Sequence, residues 1–190
     1  MRRTTKKPIV LIGGTAGTGK STLARELSSR LSFDHRLGTG FIREVAKAFH
    51  SPDSAPELYS FTFRSERPVE NLIAQARALK PAIDACIARA RNEGTSLVIE
   101  GNHLIPNLYH DAAVDLYVVL AAPAPREHRT RLHGQSHSKR RLSESDIANV
   151  RKIDDYLCAE AVRWGIPLIL YADNFAQFLD LLNARMEGLR

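Results

Sequence analysis

The segment Gly14–Ser21, with the sequence GTAGTGKS, constrains this chain more than any other feature. It fits the pattern G-x-x-x-x-G-K-[ST], in which glycines let backbone N–H groups turn inward around phosphate oxygens. A short apolar run at 9–12 predicts a buried strand before the segment, and residues 20–31 predict an amphipathic helix after it. This context indicates the phosphate-binding loop (P-loop) of a nucleoside triphosphate site rather than an incidental glycine-rich turn.

The loop predicts the donor side of the site. Lys20 is expected to reach the β- and γ-phosphates, and Ser21 to offer its hydroxyl to Mg²⁺. The N-terminus of the following helix adds partial positive charge. We therefore expect ATP as co-substrate, Mg²⁺ as cofactor, and a nucleotide-binding set formed by Gly14, Thr15, Ala16, Gly17, Thr18, Gly19, Lys20, Ser21 and Thr22.

Predicted strands and helices alternate along the rest of the chain. Further strands are predicted at 33–37, 96–100, 114–120 and 166–171, and helices at 41–49, 69–92, 143–164 and 175–186. Pro81 lies inside one predicted helix and predicts a kink or a break. Ser143 and Asp146 predict a capping box at the start of another. The pattern predicts an α/β fold, a five-stranded parallel sheet with helices on both faces, in one domain spanning 1–190.

Length and composition fit an ordinary globular protein. The chain has 190 residues, 44% hydrophobic and 25% charged, which suits one domain without disulfides. No apolar run approaches the roughly 18 to 20 residues that a membrane helix needs. The run at 9–12 is also too short for the core of a signal peptide. We expect a cytoplasmic protein with no membrane partner. Cys86 and Cys158 fall in predicted helices and read as small buried groups. The sequence predicts no oligomeric state.

The basic balance has two possible explanations. The formal charge is +6 and the pI about 9.6; such a surplus can follow a nucleic-acid backbone or line a cleft that handles phosphates. Part of it lies in residues 1–7, a tail expected to be flexible, and part in the run 126–141. That run lies where a P-loop kinase has its lid, expected at about 124–142, so the cleft is favoured. Aromatic residues, at 7%, give little stacking surface for nucleic acid.

The P-loop alone does not separate motors, GTPases and small-molecule kinases. The N-K-x-D sequence of GTPases is absent, and so is an apolar strand that ends in Asp-Glu. Instead, a lone acid, Glu100, ends the strand predicted at 96–100. With the short chain and the arginine-rich run, this favours a compact kinase.

Three segments resemble the 2-phosphoglycerate kinase family. They are the P-loop with its preceding glycine, residues 38–45 (GTGFIREV) and residues 93–106 (EGTSLVIEGNHLIP). A looser fourth match lies in the lid and the next helix: His128, Arg131, Arg140, Arg141, Ile153, Tyr156 and Leu157. The resemblance implies an ATP-dependent kinase with a five-stranded P-loop fold and a small phosphorylated acid as acceptor. Gly40 departs from the family pattern, which has aspartate there. Either Glu100 carries the acid role alone, or the acceptor differs, or the activity has been lost.

Candidate residues on the acceptor side follow from their positions. Glu100 could accept the proton of the acceptor hydroxyl or hold a magnesium-bound water. Arg43 could grip a carboxylate or phosphate, or form an ion pair with Glu44. His103 could bind the acceptor, orient Glu100, or be a structural histidine. Arg64 is a weaker candidate for the same pocket.

The arginine-rich run supplies the remaining catalytic candidates. Arg131 and Arg140 are expected to close onto the transferred phosphoryl group and to complete a catalytic set with Lys20 and Glu100. The histidines of the run lack metal-ligand spacing, so no zinc site is expected. Asp173 and Asn174 follow the last predicted strand, where this fold has its adenine loop.

Three functions stay open from the sequence. The first is a kinase for a small acidic, phosphorylated metabolite resembling 2-phosphoglycerate. The second is an RNA- or polynucleotide-end kinase that uses the basic residues. The third is a non-catalytic nucleotide-binding module derived from a kinase, which Gly40 motivates.

Overall fold

The computed structural model describes residues 7–134, 142–170 and 174–187, in which strands and helices alternate. The strands are β1 (Ile9–Gly13), β2 (His35–Gly38), β3 (Leu97–Glu100), β4 (Leu116–Leu120) and β5 (Leu168–Ile169). The α-helices are α1 (Lys20–Arg30), α2 (Thr39–Lys47), α3 (Pro68–Glu93), α4 (Pro106–Tyr109), α5 (Pro125–Leu132), α6 (Glu144–Arg163) and α7 (Asn174–Glu187). A 3₁₀ helix at Pro56–Tyr59 joins α2 to α3.

The strands form one parallel sheet in the order β2-β3-β1-β4-β5, which confirms the predicted five-stranded parallel sheet. β1 lies between β3 and β4, and Ile12 pairs with Glu100. The lone acid at the end of β3 therefore lies beside the last residues before the P-loop. β5 is shorter than predicted: it comprises Leu168 and Ile169 only.

Helices cover both faces of the sheet, as predicted. Successive side chains of a strand point to opposite faces. The apolar residues of β1 therefore pack into two hydrophobic cores, one on each face of the sheet. Ile9 and Leu11 pack with α3 and α6, whereas Val10 and Ile12 pack with α1 and α7. All four are fully buried, which explains why this strand is apolar at every position.

α3 passes through Pro81 without interruption, so of the predicted kink or break the break is wrong and the kink stays a prediction. Proline removes one hydrogen bond and costs roughly 3 kcal/mol in a helix interior. Pro81 is exposed, whereas Leu79 and Ile83 on either side are fully buried. Each buried side chain of that size contributes roughly 1.5–3 kcal/mol, so packing against the sheet holds the helix together.

Two local features of the second half position the site. The capping box is confirmed: Asp146 N–H donates to Ser143 Oγ at 3.1 Å, and Ser143 N–H donates to the Asp146 carboxylate at 2.9 Å. The first part of the predicted lid forms a regular helix, α5.

In the three described ranges, no helix has both the length and the apolar character needed to cross a bilayer.

Candidate functional site

The P-loop between β1 and α1 adopts a conformation that requires glycine. Gly14, Gly17 and Gly19 have φ angles of 130°, 79° and 93°, in the region that other residues rarely occupy. A Cβ atom on Gly14 would also lie 2.5 Å from the carbonyl oxygen of Leu120. The loop is thus packed directly against the end of β4.

Lys20 begins α1 and turns back over the loop. Its Nζ donates a hydrogen bond to the carbonyl oxygen of Thr15 at 2.5 Å. Burial lowers the pKa of this amine, and the negative charges of Glu100 and Asp154 oppose that shift. An ammonium group in this position can bind an incoming phosphate.

Ser21 and Glu100 meet at the mouth of the loop. The Ser21 hydroxyl donates a hydrogen bond to Glu100 Oε1 at 2.8 Å. A hydroxyl and a carboxylate are oxygen ligands of the kind Mg²⁺ takes together with phosphates. These two side chains could therefore hold a magnesium ion directly or through its waters.

A cavity of about 760 Å³ extends from the P-loop to the N-terminal half of α2. Among the described residues that line it, the basic side chains outnumber the acidic ones: Lys20, Arg25, Arg43 and Arg131 face Glu44 and Glu100. This surplus favours anionic ligands. The cavity brings together Arg43, Glu100 and His103 with six of the nine predicted nucleotide-binding residues; Gly14, Thr15 and Thr18 are not among those that line it.

Arg43, on α2, lines this cavity with its side chain 14% exposed. One terminal nitrogen donates to the carbonyl oxygen of Ser60 and the other to Glu44 Oε1, both at 3.2 Å. Its Nε is buried and has no hydrogen-bond partner among the described residues. Because the Arg43 side chain lines the cavity and is positively charged, it can attract an anion there.

His103 lines the cavity but is only 2% exposed. Both ring nitrogens have protein partners: Nδ1 lies 2.8 Å from Thr39 Oγ1, and Nε2 lies 3.0 Å from Gln75 Oε1. Burial, with the nearby charges of Arg43 and Lys20, lowers its pKa to about 3. The ring is therefore neutral at physiological pH.

The other predicted residues are less central. Arg64 is not among the residues that line the cavity; its guanidinium lies 4.9 Å from the Phe61 ring centre, and its Nε 3.7 Å from Asp146. Arg131, on α5, reaches the cavity wall and pairs with Glu127. Arg140 and Asp173 lie outside the described residues, and so does the side chain of Asn174.

Two buried polar residues beside the P-loop were not among the predicted site residues. His128, on α5, is fully buried, and its Nε2 donates to the carbonyl oxygen of Ala16 at 2.7 Å. Asp154, on α6, accepts a hydrogen bond from Ala122 N–H at 3.0 Å, and burial raises its pKa. Asp154 could have been found from the sequence, because it is an acidic residue within the apolar stripe of α6. His128 belongs to the loose lid match to the 2-phosphoglycerate kinase family, but nothing in the sequence indicated its bond to the P-loop.

Comparison with known families extends over most of the chain. A family described as an AAA domain matches residues 10–152. The 2-phosphoglycerate kinase of Methanocaldococcus jannaschii is 30% identical over 204 residues, covering 97% of this chain and 66% of the relative. That of Methanococcus maripaludis strain C7 is 30% identical, covering 99% and 69%. That of Thermococcus kodakarensis is 30% identical, covering 89% and 63%. The chain thus spans about two thirds of the length of these relatives.

Two solved structures with similar folds are kinases. A deoxyadenosine kinase from M. mycoides with bound dATP has a TM-score of 0.53 at 14% identity, covering 93% of this chain and 99% of that one. A shikimate kinase from Acinetobacter baumannii in complex with shikimate has a TM-score of 0.53 at 11% identity, covering 97% and 94%. At this identity the likeness concerns the fold alone, which is that of P-loop kinases.

Proposed function

The chain belongs to the AAA-domain family and to the 2-phosphoglycerate kinase family, and on that premise we propose that it is an ATP-dependent kinase. Its acceptor is a hydroxyl of a small acidic, phosphorylated metabolite resembling 2-phosphoglycerate. One observation carries the proposal: a single cavity joins the P-loop to the positively charged side chain of Arg43. A site that transfers a phosphoryl group to an anion needs both ends in one cleft.

The donor end rests on the P-loop. Backbone N–H groups of the loop, the N-terminus of α1 and Lys20 bind the β- and γ-phosphates. Ser21 and Glu100 are the oxygen ligands that suit Mg²⁺, which neutralises phosphate charge when it arrives with ATP. Arg131 contributes positive charge from the cavity wall. The same role for Arg140 stays a prediction.

The acceptor end rests on Arg43 and Glu100. Arg43 binds a carboxylate or phosphate of the acceptor and so places its hydroxyl near the donor phosphate. Glu100 then takes the hydroxyl proton as the oxygen attacks phosphorus, or it holds a magnesium-bound water. Both roles require the Glu100 carboxylate at the mouth of the P-loop, where its hydrogen bond with Ser21 holds it.

Gly40, the departure from the family pattern, lies in the cavity lining. A Cβ atom there would meet no other atom within 4 Å, so packing does not explain the loss of an acidic side chain. We propose that Glu100 carries the acid role alone. We also propose that the protein acts in the cytoplasm.

A second acceptor class is favoured by one observation. Phe41, Phe61 and Phe63 line the cavity; the rings of Phe61 and Phe63 are stacked with centroids 5.7 Å apart, and Phe41 is 83% exposed. Aromatic faces of this kind can stack on bases. A polynucleotide end is therefore the alternative acceptor.

Transfer of the labelled γ-phosphoryl group from ATP tests the proposal. The panel contains 2-phosphoglycerate, its isomer 3-phosphoglycerate, unphosphorylated glycerate and an RNA oligonucleotide with a free 5′ hydroxyl. We expect label in a phosphorylated acid. Label in RNA alone would support the second class. ATP binding without transfer to any acceptor would contradict the kinase proposal and favour a nucleotide-binding module.

A further inference from the structure

A buried polar network lies beneath the acceptor end of the cavity. It consists of four side chains from different segments, each at most 4% exposed: Thr39, Thr62, Gln75 and His103. Thr39 is the first residue of α2, Gln75 lies on α3, and His103 follows β3. The network thus joins the segments that carry Arg43 and Glu100.

The hydrogen bonds of Gln75 fix the direction of every bond in the network. Its Nε2 donates to the carbonyl oxygens of Glu57 and Ser60 at 2.7 and 3.0 Å, so its Oε1 is the acceptor. That oxygen lies 2.6 Å from Thr62 Oγ1 and 3.0 Å from His103 Nε2. His103 Nε2 must therefore carry a proton.

The tautomer of His103 sets the direction of the Thr39 hydroxyl. A neutral imidazole has one proton, so Nδ1 of His103 is an acceptor. Thr39 Oγ1, at 2.8 Å, donates to it. Removing that hydroxyl would leave a buried nitrogen without a donor, which is unfavourable.

Thr39 is also packed against the residue that follows Glu100. A Cβ atom on Gly101 would lie 1.8 Å from Thr39 Oγ1, so only the bare backbone of glycine fits there. Arg43 lies four residues after Thr39, one turn along the same face of α2. Thr39 therefore contacts both His103 and the residue after Glu100, on the face of α2 that carries Arg43.

We propose that His103 is a positioning residue that acts through Thr39 to hold α2, and with it Arg43, in register with Glu100. It neither binds the acceptor nor transfers a proton. Gln75 holds the ring from behind, and Gly101 provides the close contact. This inference rests on the proposed function, since it concerns how that site aligns its acceptor.

Kinetics of Thr39 variants test the proposal with an acceptor that the wild-type protein phosphorylates. Thr39→Val keeps the shape and removes the hydroxyl, Thr39→Ser keeps the hydroxyl, and Thr130→Val is a control on the exposed face of α5. We expect Thr39→Val to raise the acceptor KM about tenfold and to lower kcat, with the KM for ATP within about twofold. Thr39→Ser and the control should stay near wild type.

A purely structural role would give another result. Thr39→Val would then lower thermal stability but leave the acceptor KM equal to that of Thr39→Ser, or it would raise both KM values alike. Either result overturns the proposal.

Histidine ¹⁵N spectra supply a readout that does not depend on transfer. The signal lost in His103→Gln identifies His103, and at pH 7 it should show a protonated Nε2 and an unprotonated Nδ1. The opposite tautomer or a doubly protonated ring would overturn the network. If the wild-type protein phosphorylates no acceptor, the proposed function fails and the spectrum alone decides the network.

Discussion

The Ser21 hydroxyl donates a hydrogen bond to Glu100 Oε1 across 2.8 Å, and this bond joins the start of α1 to the end of β3. The parallel pairing of β1 with β3 makes it possible, because Glu100 is level with Ile12 just before the P-loop. A side chain of the P-loop, Ser21, is therefore in direct contact with Glu100, the acid proposed for the acceptor end.

Replacing Glu100 by glutamine should separate binding from transfer. Glu100→Gln keeps the side-chain shape and an oxygen for Ser21 but removes the charge and the basicity. We expect kcat for transfer to fall about 100-fold or more, while affinity for ATP without magnesium changes little. Labelled transfer and nucleotide titration measure the two. Glu66→Gln, at an exposed position, is the control; transfer at the wild-type rate by Glu100→Gln would remove Glu100 from the mechanism.

The contact between Gly101 and Thr39 predicts a large difference between two glycine substitutions. Gly101→Ala would place a methyl group 1.8 Å from Thr39 Oγ1, whereas Gly40→Ala meets nothing within 4 Å. We expect Gly101→Ala to lower the free energy of unfolding by about 1–3 kcal/mol, and Gly40→Ala, in a helix with open space, to leave it unchanged or raise it by up to about 1 kcal/mol. Urea denaturation measures both. Equal stability of the two variants would show that Thr39 is not held in this contact.

The donor side of the site could be predicted because its signals are local. The P-loop spans eight consecutive residues with a strand before and a helix after it, and periodicity was sufficient for the sheet. The break at Pro81 failed because burial of Leu79 and Ile83 outweighs one lost hydrogen bond. Helix propensity depends on the local sequence and does not include the free energy gained by burying side chains against the rest of the fold.

The acceptor side could be predicted only in part because its contacts are distant in sequence. His103 was identified as a candidate, but its partners Thr39 and Gln75 are 64 and 28 residues away. Only the fold brings them together. The same holds for His128, whose bond to Ala16 spans 112 residues.

Arg43 should affect the acceptor more than ATP. Arg43→Ala removes a guanidinium that lines the cavity, and a charged hydrogen bond contributes roughly 1.5–3 kcal/mol. We expect the acceptor KM to rise at least about tenfold, with the KM for ATP nearly constant. Arg89→Ala, an exposed arginine of α3 paired with Glu93, is the control. An equal rise in both KM values would count against an acceptor role.

His103 should make stability fall with acid. Its pKa is about 3 in the folded protein and about 6.5 when unfolded, so the unfolded state binds the extra proton. The contribution of the neutral His103 ring to the free energy of unfolding is complete above pH 6.5 and is lost as the pH falls toward 3. Between pH 7 and 5 this loss amounts to about 2 kcal/mol.

Denaturation at the two pH values measures this effect. The loss between pH 7 and 5 should be about 2 kcal/mol smaller in His103→Gln than in the wild type. In His50→Gln, a control at an exposed histidine, the loss should be unchanged. Parallel pH dependence in all three proteins would mean that His103 is not held neutral.

The most direct test of the account compares wild-type protein with Lys20→Ala in the labelled transfer assay, with 2-phosphoglycerate first on the acceptor panel. The account predicts labelled product with the wild type and none with Lys20→Ala, while circular dichroism shows both proteins folded. Unchanged transfer by Lys20→Ala, or no transfer by the wild type to any phosphorylated acid, would contradict it.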